Sequence, residues 1–94
     1  MTYKLKFLPQ ALKEWNKLAP PIRAQLKKKL AERLTNPHVP SARLSGYENV
    51  YKIKLRTAGY RLAYEVIDEE LYVYVLAVGR RDKNEVYKKL KERR

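Results

Sequence analysis

The chain has 94 residues, with 22 Lys and Arg against 10 Asp and Glu, a formal charge of +12 and no cysteine. This length fits one domain over residues 1–94. The missing cysteines exclude disulfide and thiolate-metal chemistry and make a cytoplasmic site the default. So large a positive excess favours a polyanionic partner, nucleic acid first and an acidic protein second.

From Thr2 to Leu8 the apolar residues Tyr3, Leu5 and Phe7 alternate with polar ones, the pattern of a strand. The same alternation leaves no continuous apolar stretch of the signal-peptide kind. Pro9 suits the first turn of a helix, Leu12, Trp15 and Leu18 follow at helical spacing, and Pro20-Pro21 ends that helix and opens the next. Ile22, Leu26, Leu30 and Leu34 recur every fourth residue with Lys27-Lys28-Lys29 elsewhere around the cylinder, an amphipathic helix stopped near Asn36-Pro37. The two segments make a helical hairpin.

Three strands are expected next: Val50 to Arg56, Gly59 to Ile67 and Leu71 to Val78, with tight connections at Thr57-Ala58 and Asp68-Glu69-Glu70. The last strand is apolar on both faces and should be central. Its eight residues form the longest apolar run, short of the roughly 20 that span a bilayer, and no membrane partner is expected. Asp82 with Glu85 predicts a capped start for a short basic helix. Residues 80–94 hold eight cations and three anions, so this terminus is expected either to fray or to dock on something negative. The order β-α-α-β-β-β-α gives an α+β fold with an antiparallel-rich twisted sheet, an N-terminal helical hairpin and a short C-terminal helix.

The strand Tyr51-Lys52-Ile53-Lys54-Leu55-Arg56 is the most informative segment. Alternation puts Tyr51, Ile53 and Leu55 on one face and three cations on the other. Burying three charges in a row is costly, so that face looks at water or at an anion. Arg61 adds a further strand cation, and Arg80-Arg81 closes the last strand. What the chain lacks narrows the chemistry. His38 is the only histidine, so a two-histidine ribonuclease mechanism is impossible, and a lone loop histidine reads as a surface residue. No His/Asp/Glu cluster has metal-ligand spacing, so neither a metal nor another cofactor is expected. The glycines Gly46, Gly59 and Gly79 form no phosphate-cradling motif. An enzyme built from this chain works with Lys, Arg and Tyr: cations to bind phosphate and stabilise a phosphorane, and a tyrosine near positive charge to accept a proton.

The ordered set Ala11-Leu12-Lys13-Glu14-Trp15, Leu26-Lys27-Lys28-Lys29-Leu30, Tyr51 to Arg56, Gly59-Tyr60-Arg61-Leu62, Val66-Ile67-Asp68-Glu69-Glu70, Val78-Gly79-Arg80-Arg81 and Glu85-Val86-Tyr87 resembles the RelE family of the RelE/ParE toxin superfamily over nearly the whole chain. The resemblance implies a type II toxin that cuts messenger RNA in the ribosomal A site and is neutralised by a RelB-type antitoxin in a hetero-oligomer. It implies Tyr87 as general base, Arg81 as the group assisting the leaving 5′-oxygen, and Lys52, Lys54 and Arg61 as ligands of the scissile phosphate, with Lys54 an alternative base. The implied product ends are a 2′,3′-cyclic phosphate and a 5′-hydroxyl. Arg56, Arg43 and Arg80 are secondary candidates for RNA contact: Arg56 shares the cationic face but has no role in the resemblance, so its solvated reading stays ahead, and Arg80 reads equally as a surface charge at the approach to the last helix. At Ser45 the chain departs from close relatives, which carry a basic residue before the glycine; either Arg43 replaces that contact or one RNA contact is missing. Gyrase-directed branches typically lack the equivalents of Arg81 and Tyr87, and this chain has both. The competing readings are a toxin-like fold without ribonuclease activity, gyrase-directed or otherwise nucleic-acid-binding, and a solvated strand face with no ligand. Lys27-Lys28-Lys29 divides evenly between a wet helix face and a ribosomal-RNA contact.

Overall fold

A computed structural model describes residues 2–81 and 84–93. Strand β1 (Lys4–Phe7) leads into helices α1 (Pro9–Asn16) and α2 (Pro20–Thr35). A short 3₁₀ turn at Pro40–Ala42 precedes β2 (Val50–Leu55) and β3 (Tyr60–Ile67). A second such turn at Asp68–Glu70 leads to β4 (Tyr72–Arg80), and α3 (Glu85–Arg93) closes the chain. The sheet runs β1-β4-β3-β2, with β1 parallel to β4 and the other pairs antiparallel. The expected element order holds, and β4 sits between β1 and β3 as its two apolar faces require.

Each helix of the hairpin opens on a proline, whose fixed φ and missing N–H suit the first turn. The buried stripe of α1 differs from the expected one. Leu12 is 43% exposed, while Ala11 is fully buried and Trp15 half-buried against Phe7, ring centroids 5.3 Å apart. The small Ala11 side chain lets α1 approach the sheet closely, and Leu18 is buried just beyond the helix end. Helix α2 buries Leu26 and Leu30 as read.

The sheet separates two cores. On the face covered by α1 and α2, Leu26 and Leu30 pack on Tyr51, Ile53, Leu55, Leu62, Tyr64, Val66, Val73, Val75 and Val78. On the other face α3 lays Val86 and Leu90 onto Leu44, Val50, Ala63, Leu76 and Ala77. The β3–β4 register slips between Ala63 and Tyr64, so Ala63 faces Ala77 and Tyr64 faces Val75. This irregularity lets Leu76 and Ala77, neighbours in sequence, both join the second core. The basic terminal helix takes the second of the two expected courses within its own chain: its apolar stripe seats it on the sheet, and Lys89 and Arg93 dock on the Glu14 carboxylate. The cap expected at Asp82 lies outside the described residues.

His38 is more than a wet loop residue. Its Nδ1 lies 2.9 Å from the Tyr51 hydroxyl and its Nε2 2.8 Å from Asp68 Oδ1, which also accepts from the Tyr3 hydroxyl at 2.6 Å. Tyr64 on the same face donates to Pro37 O at 2.8 Å and accepts from Arg33 at 2.9 Å. These bonds staple the loop after α2 to the strands, on the face away from the strand lysines.

Candidate active site

Strand pairing brings the predicted cations together. Lys54 stands opposite Arg61, Arg61 opposite Gly79, and Lys52 opposite Ala63. Alternation sends Lys52, Lys54 and Arg61 to the α3 face, since Tyr51, Ile53, Leu55 and Leu62 belong to the opposite core. Helix α3 begins where the sheet presents no side chain: a Cβ on Gly79 would lie 2.7 Å from Glu85 Cβ. The glycine therefore lets α3 descend against β4 and point Tyr87 toward the cations. The Arg61 guanidinium lies 4.9 Å from the centre of the Tyr87 ring, within cation–π range. Arg81 follows β4, and its N–H donates to Gly59 O at 2.8 Å, in the turn between β2 and β3.

The five residues assigned to chemistry thus converge. Lys54 shows it electrostatically: Lys52 first, then partial desolvation, then Arg61, Arg56 and Arg81 hold its ammonium below the ordinary lysine value. Among the described residues none of Lys52, Lys54, Arg61 and Arg81 is paired with a carboxylate. Arg61 Nε is buried with no hydrogen-bond partner. A cluster of unneutralised cations with one unmet donor suits a phosphate, whose oxygens would satisfy them together.

The secondary contacts divide. Arg43 pairs with Tyr51 at the edge of β2 and lines a hollow with Ser45, Tyr47, Lys52 and Tyr87. Arg56 is not a strand residue; β2 ends at Leu55, and Arg56 opens the turn that Gly59 closes, with Gly59 N–H donating to Arg56 O at 3.3 Å. It still borders Lys54, in a hollow shared with Lys29 and Gln25, which sets one lysine of the α2 triplet beside the site. Arg80 stands opposite Tyr60, its guanidinium 6.0 Å from that ring, and also borders the cleft of Arg61 and Arg81. Asn84 lines the same cleft in a left-handed conformation, φ 51°. Its only sequence signal is that asparagine tolerates this region. No group of three His, Cys, Asp or Glu among the described residues could hold a metal ion, and no described helix is long and apolar enough to cross a membrane.

Residues 5–85 match the family described as the ParE toxin of the type II toxin–antitoxin system parDE. The mRNA interferase toxin RelE of Escherichia coli is 53% identical over 87 residues, covering 93% of this chain and 92% of that protein. The chain belongs to the RelE family of the RelE/ParE toxin superfamily. A doubly substituted mutant of E. coli RelE in the free state superposes with a TM-score of 0.91 at 49% identity, over 99% of this chain and 98% of that one. The toxin in the intact E. coli RelBE toxin–antitoxin complex gives 0.81 at 52% identity, over 83% of this chain and 95% of that one. The RelE fold therefore extends over α3, the element carrying Tyr87.

Proposed function

We propose that this RelE-family chain is the toxin of a type II toxin–antitoxin system, acting as a single cytoplasmic domain over residues 1–94. It is a metal-independent, ribosome-dependent endoribonuclease that cuts messenger RNA in the A site and stops translation. Its partners are the ribosome, its message and a RelB-type antitoxin that silences it in a hetero-oligomer. The observation that supports this most is the clustering of Lys52, Lys54, Arg61 and Arg81, with Arg61 against the Tyr87 ring, in a chain 53% identical to an mRNA interferase.

In the reaction the ribose 2′-oxygen loses its proton to a base and attacks the adjacent phosphorus. The bond to the 5′-oxygen breaks, leaving a 2′,3′-cyclic phosphate and a 5′-hydroxyl. Lys52 and Arg61 hold the phosphate and its growing transition-state charge. Arg81 stands by the leaving oxygen. Tyr87 accepts the proton; Lys54 is the alternative acceptor, since its cationic neighbours favour the neutral amine. The message is expected to be cut only inside the ribosome, which supplies the in-line geometry that cations alone do not.

Primer extension on a translated message, with and without the purified chain, tests the proposal. A new stop inside A-site codons that disappears when translation is blocked is expected. A toxin fold without ribonuclease activity is the second reading, suggested by the ParE description of the matching family; binding to nucleic acid with no cleavage would establish it.

A further inference from the structure

The hollow beside Lys52 has a volume of about 370 Å³ and is lined by Arg43, Leu44, Ser45, Tyr47, Lys52 and Tyr87. It differs from the rest of the basic face in having two aromatic walls. Tyr87 comes from α3, and Tyr47 from the loop before β2. Both rings pack against the second core, which fixes their seats. The Tyr47 loop is itself tied down. Leu44 N–H donates to Val50 O at 2.9 Å, Tyr47 N–H donates to Leu44 O at 3.3 Å, and Gly46 takes φ 88°, which a side chain would resist. Among the described residues no ring contact joins Tyr47 to Tyr87. Ser45 lines the same hollow with only a short side chain.

We propose that Tyr47 and Tyr87 are the two walls of a nucleobase slot next to the scissile phosphate, with Tyr47 the residue that sets which base is accepted there. The inference rests on the ribonuclease reading above and assigns the base-contacting part of the same site. A site for phosphate alone needs cations and N–H donors, and aromatic walls add nothing to it. Two aromatic rings lining one hollow together with Lys52 and Arg43 match a flat π-system joined to an anion, which is a nucleotide. Stacking on one ring is largely tolerant of sequence; a second ring from Tyr47 limits which base fits beside Tyr87, and that limit supplies the preference.

The test uses ribosomes programmed with messages that carry an abasic residue at each A-site position in turn, in cleavable form and in an uncleavable 2′-O-methyl form. In wild type, one abasic position should weaken binding of the uncleavable message complex by about 5- to 150-fold, the range of a single base–aromatic stack. Tyr47→Ala and Tyr47→Leu should cause the same loss on the intact message and no further loss at that abasic position, with a changed codon profile in the cleavable series. Tyr47→Phe should restore both. Leu keeps bulk in the second core, so agreement of the two variants, at unchanged melting temperature of the Leu form, separates slot loss from misfolding. Additive penalties at every position, or an unchanged codon profile, overturn the slot while leaving cleavage standing. Position-specific, non-additive binding losses without any cleavage overturn the ribonuclease reading and leave the slot.

Discussion

Glu14 on α1 and Arg93 near the end of α3 form a two-point ion pair across the edge of the sheet, with contacts of 3.2 Å and 2.9 Å. The pair does more than join two helices. Strand β1 stops at Phe7, opposite Val75, and leaves β4 without a neighbour beyond it. Side chains take over there: Glu14 Oε1 accepts from Val78 N–H at 3.2 Å, Lys89 donates to Val78 O at 3.0 Å, and Arg93 donates to Leu76 O at 2.7 Å. Lys89 also lies 2.8 Å from Glu14 Oε2. The helix bearing Tyr87 is thus clasped to β4 by a carboxylate far away in sequence.

Burial alone would raise the Glu14 carboxyl, but bonds from Arg93, Lys89 and the Val78 N–H outweigh it and hold the group below its ordinary value of 4.5. Its contribution to stability is therefore full above the unfolded-chain value and lost as pH falls through the lower folded value. Glu14→Gln should destabilise the chain by about 1–3 kcal/mol at neutral pH. Urea unfolding of both forms across the acid range checks this; the difference should shrink as pH drops below 4.5, and a constant difference would exclude the clasp as its source.

Tyr87→Phe removes only a hydroxyl and leaves the ring under Arg61. If the hydroxyl is the base, single-turnover cleavage at saturating ribosome should fall by about 10²–10⁴. Lys28→Ala, a change on the exposed side of α2, should instead weaken ribosome binding modestly and leave the saturated rate nearly intact. A wild-type rate for Tyr87→Phe would pass the proton-acceptor role to Lys54.

The largest influence on Lys54 is the charge of Lys52. Lys52→Met should therefore raise the Lys54 titration toward its ordinary value. If Lys54 accepts the proton, the rising limb of the pH–rate profile should move to higher pH in this variant. An unmoved limb, with only the amplitude reduced, would confine Lys52 to phosphate binding and remove Lys54 from proton transfer.

Gly79→Ala places a methyl group against Glu85 at the start of α3. The contact is with a Cβ, which cannot swing away, so the helix must lift. A loss of about 1–3 kcal/mol, typical of overpacking, should come with reduced cleavage because Tyr87 moves with its helix. Thermal melts alongside single-turnover assays would show both effects, and full activity would mean that α3 tolerates displacement.

Much of this architecture was legible in the sequence because its signals are local. Prolines opened both helices where expected, the four-residue period of α2 marked its buried stripe, and the two-faced β4 declared itself central. The five residues proposed for the chemistry follow from strand alternation and family resemblance; register brings Lys52, Lys54 and Arg61 together, and the seating of α3 adds Tyr87. Part of what escapes is non-local. Nothing in the sequence ties Glu14 to Arg93, because the pair exists only once β1 has ended short of β4's last residues. The α1 stripe is ambiguous in sequence because a large Leu12 outweighs a small Ala11 on hydrophobicity alone. Alternation continues through Arg56 because it does not report where a turn begins. The role of His38 is invisible in sequence because its partners Tyr51 and Asp68 lie 13 and 30 residues away.

The separation of the sheet into two cores has a thermodynamic consequence. Tyr87 depends on the smaller core, whose helix contributes two buried side chains, Val86 and Leu90, whereas the larger core holds the hairpin and the strands without it. The chain can therefore open in steps, with α3 leaving first at a free energy below that of global unfolding. Amide protons of residues 85–93 should exchange with solvent well before those of Val73 and Val75. A rise in temperature or denaturant too small to melt the sheet should already silence the protein, and cooling or dilution should restore it without refolding from the unfolded chain.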